Sequence, residues 1–319
     1  MNIIWACLLL FGGLVILWKS ADWLVEGAVG LAQRLGISPL IIGLTIVAMG
    51  TSAPELAASI AAAIRGVGNV AIGNVYGSNI ANLALVGGLS ALIQPIRVQL
   101  RTLRGEMPVM IVVALLLWPV LADAGLSRPE GFILLSVFAG LIVLTIFTAR
   151  KEAEAVQSEA ASGKQDVKGS VLYVVIGLAG LALGADMAVR GAVFIGERAG
   201  LSKAVIGLTI VAIGTSLPEL VTCVVAAIKG QHDISIGNLV GSNVFNTLLV
   251  VGTAGVVRPF EEIAPRLAGG VDYWIMIVVS GVFVSMAAIG RRIGRADGTL
   301  LLLGYIGYMV YLLVYTAGM

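Results

Sequence analysis

Long apolar stretches alternate with short polar, glycine-containing or proline-containing connections along almost the whole chain. The stretches are long enough to cross the roughly 30 Å hydrocarbon core of a bilayer as helices. They are continuous rather than alternating, so helices are favoured over the strands of a membrane barrel. The pattern predicts ten transmembrane helices near residues 3–29, 39–64, 70–93, 106–122, 130–148, 170–196, 203–228, 234–256, 271–289 and 299–316.

The composition supports this pattern and excludes several classes of protein. Apolar residues make up 59% of the 319 residues, charged residues only 12%, and the mean hydropathy is +1.02. Such a chain lacks the charged surface of a soluble protein and the polarity of a disordered one. The net charge of +2 gives no basis for binding nucleic acid. One histidine and two cysteines are too few for a zinc-type cluster or a disulfide framework.

The distribution of Lys and Arg predicts how the chain is oriented. Connections after odd-numbered helices carry twelve of these residues, and connections after even-numbered helices carry six. Because basic connections stay in the cytoplasm, we expect the odd connections there and both termini outside, in a plasma (inner) membrane protein. Lys19 lies three residues from Asp22, and Arg190 lies four residues from Asp186, which favours a local ion pair within each helix over a role of the two aspartates in gating.

One long polar segment divides the sequence. Residues 150–169 are rich in Ala, Glu and Lys and lack the apolar positions of a core, so we expect a short, solvated cytoplasmic linker. The linker separates a first five-helix unit, residues 1–149, from a second five-helix unit, residues 170–319.

The two units carry copies of one motif. The segment GLTIVAMGTSAPEL at 43–56 returns as GLTIVAIGTSLPEL at 207–220, and 35 of the 67 positions from 22 to 88 are identical at an offset of 164. IGN, GSN and a following asparagine recur at the same offset, so the full motif spans 43–82 and 207–246. Five helices is an odd number, so the second copy enters the membrane from the opposite side. Inverted repeats of this kind form a binding site near the midplane, on broken helices.

Glycine and proline predict where these helices break. Gly50 and Pro54 interrupt helix 2, and the repeat places Gly214 and Pro218 in helix 7. Proline cannot donate a hydrogen bond to the carbonyl four residues back. We therefore expect the carbonyls around Ala48 to Gly50 to be free to face a positively charged ligand.

Two glutamates lie in the middle of the broken helices. A charge there costs roughly 2.5–3.5 kcal/mol on insertion scales, so Glu55 and Glu219 need a bound cation or a proton. Hydroxyl and amide groups at helical spacing in the same motif are Thr51, Ser52, Ser78, Asn82, Thr215, Ser216, Ser242 and Asn246. All are oxygen ligands, and with two carboxylates they could supply the 6–8 oxygens that Ca²⁺ takes. Two or three Na⁺ would need the same carboxylates, so the two loads are expected to exclude each other.

The repeated GTSxPEL followed by GNxxGSNxxN resembles the α-repeats of the cation/Ca²⁺ exchanger superfamily, and most of all those of prokaryotic Na⁺/Ca²⁺ antiporters. The resemblance covers nearly the whole chain. It implies an all-α polytopic membrane protein with ten transmembrane helices in two inverted five-helix repeats, helices 2 and 7 being broken. It also implies that the long first helix of each repeat slides across the rest of the molecule.

The function implied by the resemblance is secondary-active antiport of Na⁺ against Ca²⁺ by alternating access, with electrogenic extrusion of Ca²⁺. No enzymatic activity and no cofactor are expected, since Ca²⁺ and Na⁺ are transported ions. The expected partners are inorganic cations and the lipid bilayer, with no nucleic acid and no obligate protein partner.

The resemblance also implies roles for individual residues. For Ca²⁺ the implied ligands are Thr51, Glu55, Thr215 and Glu219. For Na⁺ they are Ala48, Ser52, Glu55, Ser78, Asn82, Ala212, Ser216, Glu219, Ser242 and Asn246. Position 246 departs from the pattern, because close prokaryotic relatives and K⁺-dependent members can carry Asp there. We therefore do not expect K⁺ co-transport, and only two carboxylates are expected at the centre.

Other functions stay open at this point. Glutamates in both repeats also occur in H⁺/Ca²⁺ exchangers, so H⁺ is the alternative driving ion. A passive Ca²⁺ channel is disfavoured because an inverted repeat with broken helices is typical of alternating access. An intramembrane hydrolase is disfavoured because the sequence has no zincin motif, no histidine within a predicted span and no Asp pair.

Overall fold

A computed structural model describes residues 1–157, 167–201 and 203–317. Helices make up most of this length, as the apolar stretches predict. In chain order the long helical segments are α1 (Ile3–Leu35), α2 (Pro39–Thr51 and Ala53–Ile64), α3 (Gly68–Ile93), α4 (Leu100–Val120), α5 (Arg128–Gln157), α6 (Val167–Arg198), α7 (203–215 and Leu217–Ile228), α8 (His232–Val257), α9 (Val271–Ala288) and α10 (Arg295–Ala317).

Helices α2 and α7 are each bent at a break. Within the described ranges, eight single helices are long and apolar enough to cross a membrane, and α2 and α7 bring the number to ten when their parts are joined. The two parts meet at an angle of 44° in α2 and 56° in α7. We name these parts α2a and α2b, and α7a and α7b, in chain order. The predicted all-α fold of ten spans with broken helices 2 and 7 is confirmed.

Most helix ends lie within a few residues of their predicted positions, but α1 continues to Leu35 instead of residue 29 and α4 begins at Leu100 instead of residue 106. The largest difference lies in the middle of the chain. Helix α5 continues to Gln157 and α6 begins at Val167, so helix extends into both ends of the predicted linker 150–169. Ala and Glu, which follow Arg150, are strong helix formers and allow α5 to continue beyond its apolar stretch. Residues 158–166 lie outside the described part of the chain, and the division into units 1–149 and 170–319 stays a prediction.

The two repeat-related first helices, α1 and α6, pack against each other through glycine. A Cβ atom on Gly13 would lie 2.6 Å from the Gly184 carbonyl oxygen. A Cβ atom on Gly177, the repeat counterpart of Gly13, would lie 2.8 Å from the backbone nitrogen of Leu24. These distances leave no room for a side chain, so the two backbones are in direct contact. Helices α1 and α6 therefore form one packed unit.

Helices α3 and α8 lie in the centre of the molecule, and α5 lies at its periphery. In α3 and in α8, 72% of the most apolar stretch is buried, against 6% in α5. The outer helices expose large apolar side chains, among them Trp5, Phe11 and Phe147, as a surface in contact with lipid requires. The central helices carry the polar motif, so the fold encloses the motif in the most buried part of the molecule.

Contacts between the connections sort them into two groups. The connection after α3 pairs with the connection after α9 through a two-residue antiparallel ribbon, β1 (Ile96–Arg97) and β2 (Arg292–Ile293), which the sequence pattern did not predict. In the second group, the connection after α4 contacts the connection after α8, where Leu126 forms a backbone bridge with Phe260. Odd connections thus contact odd ones and even connections contact even ones, as ten crossings of a membrane require.

Candidate cation-binding site

Glu55 and Glu219 lie in the first turn of the second half of a broken helix. Ser52 (φ −84°, ψ 6°) separates α2a from α2b, and Ser216 (φ −89°, ψ 8°) separates α7a from α7b. Each new half begins with proline in its first turn, where the missing N–H group costs no hydrogen bond. The positive end of the half-helix dipole favours a carboxylate in this turn. The break therefore both positions and partly stabilises each glutamate.

Each glutamate accepts a hydrogen bond from the break in the opposite repeat. The Ser52 hydroxyl donates to Glu219 Oε1 over 2.9 Å, and the Ser216 hydroxyl donates to Glu55 Oε1 over 3.4 Å. The two bonds are repeat counterparts, so they bring both carboxylates to the interface between the repeats. Neither glutamate pairs with a basic side chain within the described residues.

Several buried polar atoms at this interface have no hydrogen-bond partner. Glu55 and Glu219 are fully buried, and the second carboxylate oxygen of each is unpartnered. Both polar atoms of the Asn82 side chain, the Ser242 hydroxyl and Asn246 Oδ1 are also buried without a partner. An unpaired buried polar group costs about 1–3 kcal/mol, and such groups are uncommon in folded proteins. Five of these six atoms are oxygens, so the arrangement indicates a site for a positively charged ligand.

The chemical types of the coordinating groups limit which cations the site can bind. Within the described ranges, no group of three or more His, Cys, Asp or Glu side chains could hold a metal ion. The site instead combines two carboxylates with hydroxyl and amide oxygens. Hard cations such as Ca²⁺ and Na⁺ suit oxygen ligands, whereas thiolate and imidazole groups suit the softer transition metals. The arrangement therefore fits the hard-cation site that the sequence predicts.

Thr51 and Thr215 occupy equivalent positions with different surroundings. Thr51 is buried, and its hydroxyl lies 3.3 Å from the Ala48 carbonyl and 3.0 Å from Asn238 Oδ1. Thr215 is partly exposed, and its hydroxyl donates to the Ala212 carbonyl over 3.1 Å. The structure brings both threonines next to the breaks, as predicted from the sequence.

The carbonyl of Ala48 is not freed in the way that the proline argument predicted. It accepts the normal helical hydrogen bond from the Ser52 N–H, over 3.0 Å, as well as the contact from Thr51. The reason is the spacing, because the carbonyl four residues before Pro54 is that of Gly50, whereas the Ala48 carbonyl lies four residues before Ser52, which has an N–H group. A carbonyl oxygen has two lone pairs, so the Ala48 oxygen shares them between these two contacts and is not free of partners.

Two repeat-related asparagines, Asn74 and Asn238, hold parts of the site together. Asn238 accepts from Thr51, and Asn74 donates to the backbone carbonyl of Glu55 over 3.2 Å and to Ser59 Oγ over 2.9 Å. These contacts link α8 to α2a and α3 to α2b. The two asparagines thus support the site residues through hydrogen bonds of their own.

A third asparagine, Asn79, was not among the predicted site residues. Its Oδ1 accepts from Asn246 Nδ2 over 3.2 Å, and its Nδ2 donates to Thr247 Oγ1 over 3.0 Å. The bond fixes the orientation of the Asn246 amide and leaves Asn246 Oδ1 without a partner. A sequence signal existed, because Asn79 belongs to the repeated GSN and follows Ser78 directly.

Widened, π-helical turns occur at the site in both repeats. They cover Gly43–Val47 and Gly207–Val211 in the broken helices, and Ala81–Val86 and Asn246–Val250 in the partner helices. Asn82 and Asn246 lie within the second pair. Turns of this kind are rare and often mark functional sites, where an extra residue reorients the side chains. Hydrophobic periodicity alone does not reveal them.

The two halves of the site have different conformations. A Cβ atom on Gly43 of α2a would lie 3.0 Å from a carbonyl oxygen of α8, and one on Gly237 of α8 would lie 2.7 Å from a carbonyl oxygen of α2a. Around their counterparts, Gly207 of α7a and Gly73 of α3, no atom of the described residues that such a Cβ would meet lies within 4 Å. Helices α2a and α8 are therefore in backbone contact, whereas a gap separates α7a from α3 at these glycines and the two helices come close only at the last turn of α7a.

Two repeat-related aspartates outside the site, Asp22 and Asp186, also differ between the repeats in the ion pairs that they form. Asp186 pairs with Arg190 on its own helix, at 2.9 Å, as predicted. Asp22 does not pair with Lys19, as was predicted, but with Lys229 at the end of α7b. The prediction for Asp22 was wrong because α1 packs along α7b, which brings a basic residue from another helix to Asp22.

Comparison with known proteins supports these observations. The family model described as Sodium/calcium exchanger protein matches residues 5–147 and 169–314. The inner membrane protein YrbG of Escherichia coli (strain K12) is 37% identical over 318 residues, which cover 96% of this chain and 96% of that protein. The sodium/calcium exchanger MaX1 of Methanosarcina acetivorans is 32% identical over 347 residues, with 96% of this chain and 97% of that protein aligned.

The similarity extends to three-dimensional structure. A solved structure of the sodium-calcium exchanger NCX_Mj, soaked with Na⁺ and Sr²⁺, superposes with a TM-score of 0.84 at 30% identity. The superposition covers 97% of this chain and 99% of that one. The family match, the relatives and the shared fold all extend over both repeats, and the family consists of transporters rather than enzymes. The chain therefore belongs to the sodium/calcium exchanger family of membrane antiporters.

Proposed function

We propose that this protein exchanges Na⁺ for Ca²⁺ across the membrane by alternating access, in an electrogenic cycle that extrudes Ca²⁺. The observation that carries the proposal is the pair of fully buried glutamates, each with an unpartnered carboxylate oxygen and no basic partner within the described residues. Cations that enter this site relieve the cost of two buried charges. The membership of the sodium/calcium exchanger family and the fold shared with NCX_Mj support the same ions.

The ligands in this proposal are divided between the two ions. Ca²⁺ is held by Thr51, Glu55, Thr215 and Glu219. The Na⁺ ligands are Ala48, Ser52, Glu55, Ser78, Asn82, Ala212, Ser216, Glu219, Ser242 and Asn246. The two sets share both glutamates, so Ca²⁺ and Na⁺ compete for them, and competition of this kind couples their movements in opposite directions.

The charges of the site give the proposed cycle its electrical sign. Two carboxylates neutralise one Ca²⁺, so the Ca²⁺-loaded site carries no net charge. The electrogenic cycle that we propose puts three Na⁺ on the same carboxylates, and this load carries one net positive charge. One positive charge therefore moves with Na⁺ in each cycle, and the membrane potential contributes to the driving force.

Alternating access is supported by the difference between the two halves. Thr215 is partly exposed whereas its counterpart Thr51 is buried, and α2a is in backbone contact with α8 where α7a leaves a gap to α3. An inverted repeat can close one side while it opens the other. The excess of Lys and Arg in odd connections favours a cytoplasmic position for them, which puts both termini outside and the gap on the extracellular side. The similarity to YrbG, named an inner membrane protein, supports the same membrane.

A transport assay in reconstituted vesicles tests the function. Purified full-length protein is placed in vesicles loaded with Na⁺, the vesicles are diluted into Na⁺-free buffer, and ⁴⁵Ca²⁺ uptake is measured. An inside-positive potential, set by inward K⁺ diffusion with valinomycin, should accelerate uptake because net positive charge leaves with Na⁺. Vesicles loaded with K⁺ or choline instead of Na⁺ serve as controls.

Each alternative has its own result in this assay. Uptake driven by a pH gradient alone would replace Na⁺ with H⁺ as the driving ion. Uptake without any counter-ion gradient would favour a passive Ca²⁺ channel. Uptake that requires Na⁺ inside but ignores the potential would contradict the electrogenic stoichiometry and leave the exchange itself standing.

A further inference from the structure

Helix α1 is tied to the end of α7b by a single lysine. Lys229, which follows α7b, forms an ion pair with Asp22 of α1, and its ammonium group also donates to the Asp22 backbone carbonyl over 3.3 Å. Both side chains are about one-third exposed, at 34% for Lys229 and 33% for Asp22. The contact therefore lies at the edge of the packed region, where it can form and break.

The internal repeat supplies a second set of residues for the same contact. At the offset of 164, Asp22 corresponds to Asp186 of α6, and Lys229 corresponds to Arg65, which follows α2b. In this structure Asp186 pairs with Arg190 of its own helix, and its side chain is 52% exposed. Arg65 is exposed and forms no ion pair with any described residue. One of the two equivalent contacts is thus made, and the other is not.

The apolar packing shows the same difference. Ala226 of α7b is buried in one cluster with Leu17 and Ala21 of α1. Its repeat counterpart, Ala62 of α2b, is buried in another cluster, whose described residues come from α2 to α5 and from α8 onwards and include none of α6. Helix α1 therefore packs against α7b, while α6 does not pack in the equivalent way against α2b.

We propose that Asp22–Lys229 and Asp186–Arg65 are two alternating ion pairs, one closed in each of the two conformations of the transport cycle. The inference rests on the alternating access of the proposed function. Two repeats with the same motif can exchange their local conformations, and the exchange opens the molecule on the other side. Helices α1 and α6 are one packed unit, so a shift that brings Asp186 to Arg65 also carries Asp22 away from Lys229. The pair closed here lies on the side opposite to the gap between α7a and α3.

The expected strength of each pair fits this role. Partly exposed ion pairs are weak, and a change in such a pair is expected to alter the ratio of the two conformations by about two- to fivefold. A contact of this size biases the resting conformation, yet it can be broken in every cycle without becoming a barrier. A much stronger pair would hold the molecule in one conformation.

Cross-linking during transport tests the proposal. Two double variants, Asp22→Cys/Lys229→Cys and Arg65→Cys/Asp186→Cys, are made in full-length protein that carries Cys7→Ser. The remaining cysteine, Cys223, is fully buried. Both are reconstituted and treated with a short bifunctional thiosulfonate reagent that spans a lysine-length gap, with and without opposed Na⁺ and Ca²⁺ gradients. Cross-link formation and ⁴⁵Ca²⁺ uptake are measured, and dithiothreitol reverses the link.

The two variants have opposite expected behaviour. The 22–229 link should form at rest and block uptake until it is reduced, and the 65–186 link should form at least about fivefold faster during turnover than at rest. Equal rates of the 65–186 link in both conditions, or no such link while uptake continues, would overturn the proposal and leave Na⁺/Ca²⁺ exchange intact. Absence of Na⁺-driven uptake already in the unmodified protein would count against the proposed function, and the alternating pairs would fall with it.

Charge reversal provides a test without cysteine. Lys229→Glu faces Asp22 with a second carboxylate and should shift the resting ratio away from the closed pair. The double variant Asp22→Lys/Lys229→Glu restores opposite charges and should recover at least half of the transport rate lost in the single variant. Equal rates in the single and the double variant would argue against an ion pair that opens and closes.

Discussion

The hydroxyl of Ser52 in the first repeat donates a 2.9 Å hydrogen bond to the carboxylate of Glu219 in the second repeat. Its counterpart, from Ser216 to Glu55, is longer, at 3.4 Å. Neither repeat can therefore build the site alone, because each glutamate takes a hydrogen bond from the other half of the chain.

Replacing either glutamate by its amide is the most direct test of the site. Glu55→Gln and Glu219→Gln keep the size of the side chain and remove its charge. We expect each to reduce Ca²⁺ uptake by more than about 100-fold, because loss of even an outer partner of a metal ligand typically costs 10–100-fold in affinity. The measurement is Na⁺-driven ⁴⁵Ca²⁺ uptake in vesicles.

Glu261→Gln is the matched control for this change. Glu261 lies exposed in the connection after α8, far along the chain from both breaks. The Ca²⁺ uptake of the Glu261→Gln variant should equal that of the unmodified protein. Normal exchange in Glu55→Gln or Glu219→Gln would contradict the assignment of that glutamate to the ion-binding site.

The two serines at the breaks should differ in their effect. Ser52→Ala removes the shorter hydrogen bond to a buried carboxylate, and a bond to a charged group is worth about 1.5–3 kcal/mol. We expect the Na⁺ concentration for half-maximal exchange to rise about tenfold or more in Ser52→Ala and by less in Ser216→Ala. Equal shifts in the two variants would indicate that the different bond lengths have no effect on ion binding.

Much of this architecture could be predicted because the signals are local or repeated. Apolar length predicts the spans, and Gly50 with Pro54 predicts the break in α2. Two matched glutamates in a chain with only 12% charged residues mark the site clearly. Since the same spacing occurs twice, the repeat also predicts that both glutamates meet at one interface.

Other features depend on contacts between distant parts of the chain. The bond from Asn246 to Asn79 joins residues 167 positions apart, and the Asp22–Lys229 pair joins α1 to α7b. Two copies of one motif also carry no information about which copy packs tightly against its partner helix. The close packing at Gly43 and the gap at Gly207 therefore could not be predicted. The π-helical turns were equally hidden, because a single extra residue barely disturbs the pattern of apolar positions.

Asn79 is expected to act through Asn246. Asn79→Ala removes the acceptor that orients the Asn246 amide, and such supporting bonds typically contribute 10–100-fold to ion affinity. We therefore expect the Na⁺ concentration for half-maximal exchange to rise. It is measured by Na⁺ titration of ⁴⁵Ca²⁺ uptake. The matched control is Asn243→Ala, the repeat counterpart, whose Nδ2 contacts Met110 Sδ over 3.7 Å and whose Oδ1 accepts no hydrogen bond from the described residues. A larger effect in Asn243→Ala than in Asn79→Ala would contradict the assigned role.

The open gap between α7a and α3 makes a bulky residue at Gly73 a test of alternating access. The first carbon of a side chain has space there in the present conformation, since a Cβ on Gly73 meets nothing within 4 Å among the described residues. In the exchanged conformation Gly73 would take the place of Gly237, whose Cβ would lie 2.7 Å from a backbone carbonyl. Overpacking of this kind costs about 1–3 kcal/mol, so Gly73→Leu should bind ⁴⁵Ca²⁺ in detergent normally and transport it about tenfold more slowly. Gly281→Leu in α9, also with nothing within 4 Å, gives the same gain in helix propensity and should transport normally. Full transport by Gly73→Leu would mean that α7a never closes over Gly73 in the cycle.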